Sequence, residues 1–435
     1  MRRIASVAVL LLVLSPFPAL AQQGTGDLRG RVLDPQGAVL PGVAIVARNQ
    51  DTGLFREAVC SADGTFFLSG ITPGFYEVQA SLDGFRRTTV KDVLVEVGKT
   101  RALDVRLELG GITESVTVNA ETPVVDLSSK EVGGNITGRE LVELPSINRN
   151  YIGFVGLLPG IVPNISTESF GSDSVNVNGQ DSRNNSYSLD GASNNDDVIG
   201  QRAGTQARTP LESIQEFQVL TNQFDAEFGR TTGAVINAVT KQGTNRFRGS
   251  AFGYFQDASL TAESYFVKKN NLAKPETKQW QLGGTVGGPV VKDKAHFFFS
   301  LERVIIDDDR AINIPARPDL NQPATTETRV WNTLVRFDHQ INANHTWAVR
   351  WLRESSPQFN QLIGTVTLAA AREESDLDQT IVGTLNSVLG SRKVNILRVG
   401  FTQEDVAFGN PGYNANGQDQ AALLPTLTYL TYTDQ

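Results

Sequence analysis

The 435-residue sequence predicts a mainly β protein with three regions of different texture. Short stretches in which apolar and polar residues alternate recur along the chain, as expected for strands with one buried face. Turn residues separate these stretches, in keeping with the 40 glycines and 18 prolines of the sequence. Beyond the N-terminal segment no run of about 18 apolar residues occurs, which excludes a polytopic helical membrane protein.

The composition excludes several classes of function. A single cysteine cannot form an internal disulfide or a thiolate metal cluster. His296, His339 and His345 stand outside any H-x-x-E zinc pattern. The net charge of -8 argues against nucleic-acid binding, which requires a basic surface. No acid–base pair, nucleophile triad or phosphate-binding loop is recognisable, so the sequence predicts no catalytic residue, cofactor or metal site.

Residues 1–21 are typical of a secretory signal peptide. Arg2 and Arg3 precede an apolar stretch, residues 4–14, that is too short to span a bilayer, and residues 19–21 form an A-x-A cleavage site. An uncleaved N-terminal anchor or a buried helix is the alternative. We therefore expect an exported protein in which the lone Cys60 is a packed thiol rather than a reactive one.

Residues 22–109 are expected to form a small β-sandwich, because short alternating runs are separated by Asp, Pro and Gly turns. The runs are residues 28–32, 43–47, 65–68 and 76–80. Four motifs lie among them: Gly-x-Val-x-Asp at 30–34, Pro-Gly-Val at 41–43, Asp-Gly-x-Phe at 63–66 and Pro-Gly-x-Tyr-x-Val at 73–78. These motifs resemble the carboxypeptidase regulatory-like domain. The resemblance implies a non-catalytic, seven-stranded sandwich that accompanies secreted proteins.

The next two segments are less specific when they are taken alone. In residues 110–120, Val116 and Val118 alternate with polar residues, which suits an isolated strand. Residues 121–245 are rich in Asn, Gly, Ser and Asp, and short apolar strands alternate there with polar loops. An ordinary mixed α/β domain would account for this pattern.

Four motifs in residues 121–245 carry a more specific resemblance. They are Ser-Leu-Asp-Gly at 188–191, Ile-Gln-Glu-Phe-Gln-Val at 214–219, Glu-Phe-Gly at 227–229 and Gly-Ala-Val-Ile-Asn-Ala-Val-Thr-Lys at 233–241. Their order and spacing resemble the plug domain of TonB-dependent outer-membrane receptors. With the regulatory-like domain in front, the chain resembles the Oar-like branch of that family. The resemblance implies that residues 121–245 form an α/β plug that sits inside a barrel.

The resemblance also implies a TonB box within residues 110–120, which pairs as a strand with the periplasmic C-terminal domain of TonB. The matching residues are Glu114, Ser115, Val116, Thr117, Val118, Asn119 and Ala120. A short alternating segment with unpaired backbone groups suits such strand addition. Thr117 and Asn119 depart from the valine-richer pattern of the family.

Residues 246–435 are expected to form the first strands of an antiparallel transmembrane β-barrel. The alternating runs are residues 246–256, 277–288, 295–306, 329–340, 345–353, 379–389 and 393–404. Each has one apolar and one polar face, as where Val335 and Phe337 oppose Arg336 and Asp338, and a sandwich fits this pattern as well as a barrel does. The connections, however, alternate between long and short, with residues 307–328 as one of the long loops. Long outer loops and short periplasmic turns are typical of an outer-membrane barrel.

The resemblance implies an outer-membrane receptor that imports an external ligand. TonB, energised by the ExbB–ExbD complex, would pull on the box and displace the plug. The barrel would contact outer-membrane lipid, and the sandwich and the box would lie in the periplasm of a Gram-negative cell. Ligand identity stays open. Candidate ligand-binding residues are Asn184, Asn185, Asn194, Asn195, Asp196 and Asp197. Ordinary turn-forming loops are the alternative for this polar stretch.

Two other classes of function remain. One is a surface-exposed structural, adhesion or secretion-related outer-membrane β protein that does not depend on TonB. The other is an exported enzyme whose site is not recognisable from the sequence. The family's barrel has about 22 strands, and about seven or eight are visible here. Because an open sheet leaves its edge groups unpaired in a membrane, we interpret the sequence as a truncated N-terminal portion with an incomplete barrel.

Overall fold

In the computed structural model, the described residues are 24–110, 115–119, 132–144, 149–164, 174–196, 205–224, 228–229, 231–263, 265–269, 274, 276–312, 322–361, 371–390 and 393–409. They form three parts, which we call the accessory sandwich (24–110), the central domain (132–241) and the barrel sheet (248–409). The predicted signal peptide, residues 1–21, lies outside the described residues. None of the helices in the described part of the chain is long and apolar enough to cross a membrane.

The accessory sandwich consists of two packed sheets. Its strands are β1 (Gly26–Leu33), β2 (Ala44–Asn49), β3 (Phe55–Val59), β4 (Thr65–Ile71), β5 (Gly74–Ser81), β6 (Arg87–Val95), β7 (Thr100–Ala102) and β8 (Val105–Arg106). One sheet has the order β4-β1-β7, with β8 also paired to β1, and the other contains β3-β2-β5-β6. Because β7 and β8 both run parallel to β1, they are two halves of one interrupted strand. The domain therefore has the seven strands that the sequence predicts.

The core of the sandwich follows the predicted alternation. Leu28, Val32, Ile45 and Val78 are fully buried between the two sheets. Cys60 lies in the same core, and burial raises the pKa of its thiol to about 11. The predicted packed position of the Cys60 thiol is therefore confirmed.

A further strand, β9 (Ser115–Asn119), extends the second sheet of the sandwich beyond β6. It runs parallel to β6, with Ser115 opposite Arg87 and Asn119 opposite Lys91. The predicted strand is therefore present, but it is paired rather than isolated. The ends of the predicted box, residues 114 and 120, lie outside the described residues.

The central domain consists of a mixed β-sheet, a hairpin and two short helices. Its elements are β10 (Val132–Thr137), α1 (Gly138–Glu143), α2 (Tyr151–Val155), β11 (Ile161–Asn164), β12 (Ser174–Val177), β13 (Ser186–Leu189), β14 (Ala192–Ser193), β15 (Ile214–Asn222) and β16 (Val235–Thr240). Five strands form a sheet in the order β10-β15-β16-β13-β14, and β11 and β12 form a separate hairpin. At the start of α1, the Glu140 carboxylate accepts a hydrogen bond from the Thr137 N–H at 2.7 Å. The rings of Tyr151 and Phe217 pack edge to face at the centre of the core, with centroids 5.5 Å apart.

The barrel sheet has eight antiparallel strands. They are β17 (Arg248–Asp257), β18 (Thr277–Val291), β19 (Ala295–Ile312), β20 (Gln322–Asn342), β21 (His345–Ser355), β22 (Gln358–Gln361), β23 (Arg372–Val388) and β24 (Val394–Gly409), and a short helix, α3 (Tyr265–Lys269), lies between the first two. The seven long strands correspond to the seven predicted runs, and β22 is a short addition that pairs with β20 and β23. The predicted loop 307–328 is too long, because β19 continues to Ile312 and β20 begins at Gln322.

The two faces of the barrel sheet differ as predicted. The outer face is apolar and exposed, with Trp280 and Trp331 45% and 44% accessible. The inner face contacts the central domain, and polar residues such as Glu302 and Asn332 are buried there. Leu334 and Leu352 of this face belong to the apolar core of the central domain. The central domain therefore packs on the inner face of the barrel sheet.

Candidate functional site

The contact between the central domain and the barrel sheet is centred on the turn between β13 and β14. Asp190 and Gly191 form this turn with φ angles of 53° and 73°, which Asp tolerates and Gly adopts freely. The Asp190 carboxylate accepts hydrogen bonds from the N–H and the hydroxyl of Thr240, both at 2.9 Å. These bonds fix the turn against the end of β16.

Two arginines from neighbouring barrel strands converge on the same carboxylate. Arg336 of β20 and Arg350 of β21 are opposite each other in the strand register. The Arg336 Nη1 lies 3.1 Å from Asp190 Oδ1, and the Arg350 Nε lies 3.1 Å from Asp190 Oδ2. Arg336 also forms an ion pair with Asp338 at 2.8 Å and donates to the Thr240 carbonyl at 2.9 Å. We call these five residues the latch.

The latch is buried and balanced in charge. The side chains of Arg336 and Arg350 are 9% and 4% exposed, so two cations face two carboxylates away from bulk water. A buried ion pair is held by its geometry, and removing one partner leaves an uncompensated charge. The latch therefore joins the central domain to the barrel sheet through a polar contact, beside the apolar contact that Leu334 and Leu352 make with the core of the domain.

A second contact joins the central domain to the accessory sandwich. Strand β15 is buried on both faces, with Phe217 in the core of the central domain and Glu216 towards the sandwich. The Glu216 carboxylate accepts a hydrogen bond from the N–H of Val97, and the Asn135 amide donates to the Val97 carbonyl at 3.1 Å. Burial raises the pKa of Glu216 to about 7.

The position after Val97 is a glycine, Gly98, which lies at the same contact. Gly98 has a φ of 67°, and a Cβ at this position would collide with the Gln218 side chain. The positive φ favours glycine at this point of the sandwich, beside β15. At this contact, main-chain groups of the sandwich meet polar side chains of the central domain.

A third contact joins the accessory sandwich to the barrel sheet. The Gln340 side chain accepts from the Phe55 N–H at 3.1 Å and donates to the Phe55 carbonyl at 2.8 Å. Arg56 donates to the Ala343 carbonyl at 3.0 Å and to the Thr346 hydroxyl at 2.9 Å, at the turn between β20 and β21. The sandwich therefore contacts both the central domain and the barrel sheet.

Two of the predicted ligand-binding residues are used inside the central domain. Asn185 is 5% exposed, and its amide donates to the Val175 carbonyl at 2.6 Å and accepts from the Ala234 N–H at 2.9 Å. Asn194 is 2% exposed, and its amide donates to the Ala207 carbonyl at 3.1 Å. Both side chains stabilise loop backbone, as Asn commonly does in turns.

The other predicted ligand-binding residues are more accessible. The Asn184 amide donates to Gln180 at 3.3 Å, and the Asn195 amide accepts from the Tyr187 N–H at 2.7 Å. Asp196 is partly exposed, and Asp197 lies outside the described residues. Because β13 and β14 are antiparallel, Asn194 and Asn195 at the end of β14 lie beside the start of β13, which Asn184 and Asn185 precede. A ligand-binding role for the set stays a prediction.

Replacing Asn194 by alanine is expected to lower the free energy of unfolding of the central domain by about 1–3 kcal/mol. The reason is that Ala207 would lose a buried hydrogen-bond partner. The change in unfolding free energy is measured by urea unfolding of the purified chain in detergent, with proteolytic cleavage of the central domain as the readout. Asn184→Ala is the matched control, since that amide is partly exposed, and it should cost less than about 1 kcal/mol. An unchanged stability of the Asn194 variant would contradict the structural role.

The most connected residues of the contact region were not predicted as site residues. In the sequence, Arg336 and Asp338 are recognisable only as part of the polar face of a strand, and Asp190 only as part of a family motif. The feature that could identify them as site residues is the presence of charged side chains on a strand face that another domain covers. In the part of the chain that the structure covers, no three His, Cys, Asp or Glu side chains form a group that could hold a metal ion.

Comparison with known proteins agrees with this architecture. Residues 27–108 match the model of the carboxypeptidase regulatory-like domain. Residues 239–322 and 311–434 match the model of an outer membrane beta barrel domain, which places the protein in the outer membrane. The chain is also 28% identical over 306 residues to the TonB-dependent transporter Oar of Myxococcus xanthus, covering 68% of this chain and 28% of Oar. The chain thus spans little more than a quarter of the length of this relative.

A solved structure shows the same fold. The outer membrane transporter YddB of Escherichia coli aligns with a TM-score of 0.51 and 14% sequence identity. The alignment covers 64% of this chain and 39% of that protein. At this identity the likeness establishes the arrangement of the β-sheets and no property of the transporter beyond it.

Proposed function

Because this chain is a homologue of the TonB-dependent transporter Oar, we propose that it acts in TonB-dependent import of a ligand across the outer membrane. The central domain would be the plug, and residues 114–120 would be the TonB box. The observation that carries the proposal is the position of the central domain. It packs on the inner face of the barrel sheet and is held there by the latch between Asp190, Arg336 and Arg350.

The geometry supports a mechanism in which the protein moves a domain and makes no covalent bonds. TonB, energised by ExbB and ExbD, would pair with the box by strand addition and pull on it. The pull would reach the central domain at β10, which is the next described element after the box. Breaking the latch would transfer its charged groups to water that enters the lumen, and Leu334 and Leu352 would separate from the core of the domain. The Asp190 turn would then leave the barrel wall and open a path.

The proposal assigns a role to each region of the chain. Residues 1–21 would be the signal peptide, 22–109 the periplasmic accessory domain, 110–120 the box, 121–245 the plug and 246–435 barrel strands against lipid. The apolar outer face of the barrel sheet supports the last assignment, since Leu397, Val399 and Phe401 are all more than half exposed. Asn184, Asn195 and Asp196 are the accessible members of the proposed ligand-binding set.

Strand addition by TonB can be tested at one main-chain N–H. Val118→Pro removes this donor from the box, whereas Val118→Ile keeps both the donor and the β-branched side chain. We expect the proline variant to bind the purified periplasmic domain of TonB at least tenfold more weakly than the wild type, and the isoleucine variant to bind equally well. Deletion of residues 112–120 should abolish binding.

The same measurement distinguishes the transporter from a structural or adhesive outer-membrane protein. Such a protein would bind TonB no better than the deletion variant does. Equal TonB binding by the wild type, the proline variant and the deletion variant would overturn the proposal.

A further inference from the structure

The segment proposed as the TonB box already has a partner within the chain. Strand β9 pairs with β6 along its whole length, and the register runs from Ser115 opposite Arg87 to Asn119 opposite Lys91. In this register Val116 lies opposite Thr88 and Val118 opposite Val90. The sandwich therefore offers the box a strand edge of matching length.

The β6 edge is part of a rigid unit. Thr88, Thr89 and Val90 near the start of β6 are all less than 9% exposed. The Thr88 hydroxyl donates to the Arg106 carbonyl at 3.2 Å, which ties β6 to the opposite sheet. On its other side β6 is paired with β5 from Val95 to Thr88. A strand fixed on both sides is a preorganised surface for a short β-segment.

We propose that the accessory sandwich sequesters the TonB box, holding residues 115–119 as an edge strand on β6, and that TonB must displace β6 to engage the box. The inference rests on the proposed function, because it assumes that this segment is the one that TonB binds. The sandwich then acts as a competitor in the same chain, and only the released box is available for pulling.

The connections of the sandwich determine where a pull on β9 is transmitted before and after release. The sandwich is joined to the barrel sheet through the bonds of Phe55 with Gln340 and through Arg56 at the turn after β20. A force applied to β9 while it is paired with β6 would act on β6 and, through the sandwich, on the barrel sheet. Before release the force is shared with the sandwich and with its bonds to the barrel sheet and to Asn135 of β10. After β9 leaves β6, the chain between β9 and β10 carries the tension directly to the central domain.

Cysteine pairs across the two strands test the docked state. Neighbouring strands lie about 4.8 Å apart, within the Cα separation that a disulfide needs. Arg87→Cys with Ser115→Cys joins one end of the pair, and Lys91→Cys with Asn119→Cys joins the other. Arg87→Cys with Asn119→Cys is the matched control, since these residues are about 13 Å apart along the strands. Cys60 stays in place because it is buried in the sandwich core.

Each variant is prepared as the full chain in detergent micelles, oxidised mildly, and assayed for binding of the purified periplasmic domain of TonB. We expect an internal disulfide in both register pairs and none in the control pair. Oxidation of either register pair should weaken TonB binding at least tenfold, and reduction should restore it. TonB added before oxidation should lower the yield of the disulfide.

Two results would overturn the inference. In the first, the register pairs form no more disulfide than the control pair, so that β9 is not docked on β6. In the second, the oxidised pairs bind TonB as well as the reduced ones, so that TonB adds to the free edge of a docked β9. Failure of the wild-type chain to bind TonB would instead overturn the proposed function, and with it the role of release, while the disulfide yields would still report docking.

Discussion

Replacement of Arg336 by methionine is expected to lower the free energy of unfolding of the central domain by about 3–5 kcal/mol, the range found when one partner of a buried ion pair is removed. Arg336 contacts Asp190, Asp338 and the Thr240 carbonyl, and its side chain is 9% exposed. Methionine fills a similar volume but leaves the Asp338 carboxylate buried without its cation. Urea-dependent pulse proteolysis of the full chain in detergent measures the free energy.

The control is the same substitution on the opposite face of the sheet. Arg303 lies over the Trp331 ring at 4.9 Å on the outer face, and Arg303→Met should cost less than about 1 kcal/mol. A double-mutant cycle with Asp190→Asn tests the latch itself, since two residues that share a buried ion pair should be non-additive by at least about 1 kcal/mol. Additive losses, or a loss below about 1 kcal/mol for Arg336→Met, would contradict the role of the latch.

Replacement of Glu216 by glutamine is expected to change the pH dependence of stability. Burial raises the pKa of Glu216 from 4.5 to about 7, so between these values the folded state holds a proton that the unfolded state releases. Stability is therefore complete below pH 4.5 and falls as the pH rises towards and through 7, by as much as about 3 kcal/mol. Glutamine keeps an acceptor for the Val97 N–H and carries no charge.

The variant should equal the wild type near pH 4.5 and exceed it in unfolding free energy by up to about 3 kcal/mol at pH 8. Urea unfolding at a series of pH values gives both curves. Glu143→Gln, at the exposed end of α1, is the matched control and should keep the wild-type profile. Parallel curves for the wild type and Glu216→Gln would show that the Glu216 carboxyl is not buried against the sandwich.

The strands of the sandwich and of the barrel sheet were predictable because each has one apolar face, which leaves a period of two in the sequence. Their ends were less predictable. β19 and β20 continue as a paired ladder past Asp307 and Thr328, where the residues are polar on both faces. Backbone hydrogen bonding maintains the strands there, and this pairing produces no alternation of apolar and polar residues in the sequence.

The candidate site was only partly predictable for a related reason. Glu216 and Gln218 alternate with apolar residues as if they faced water, yet both are buried because the sandwich covers that face. Arg336 was placed correctly on the polar face of its strand, but its partner lies 146 positions away along the chain. A single sequence reports the character of each face and leaves open which other domain will cover it.

The contact between Phe55 and Gln340 joins residues 285 positions apart, and this separation sets an order of assembly. Every strand of the sandwich before β9 lies within residues 26–106, so that domain can finish folding while the barrel hairpin that carries Gln340 does not yet exist. The docking site of the sandwich at the β20–β21 turn forms only when that hairpin closes. The accessory sandwich can therefore fold before it docks, and its docked position shows that the β20–β21 hairpin has closed.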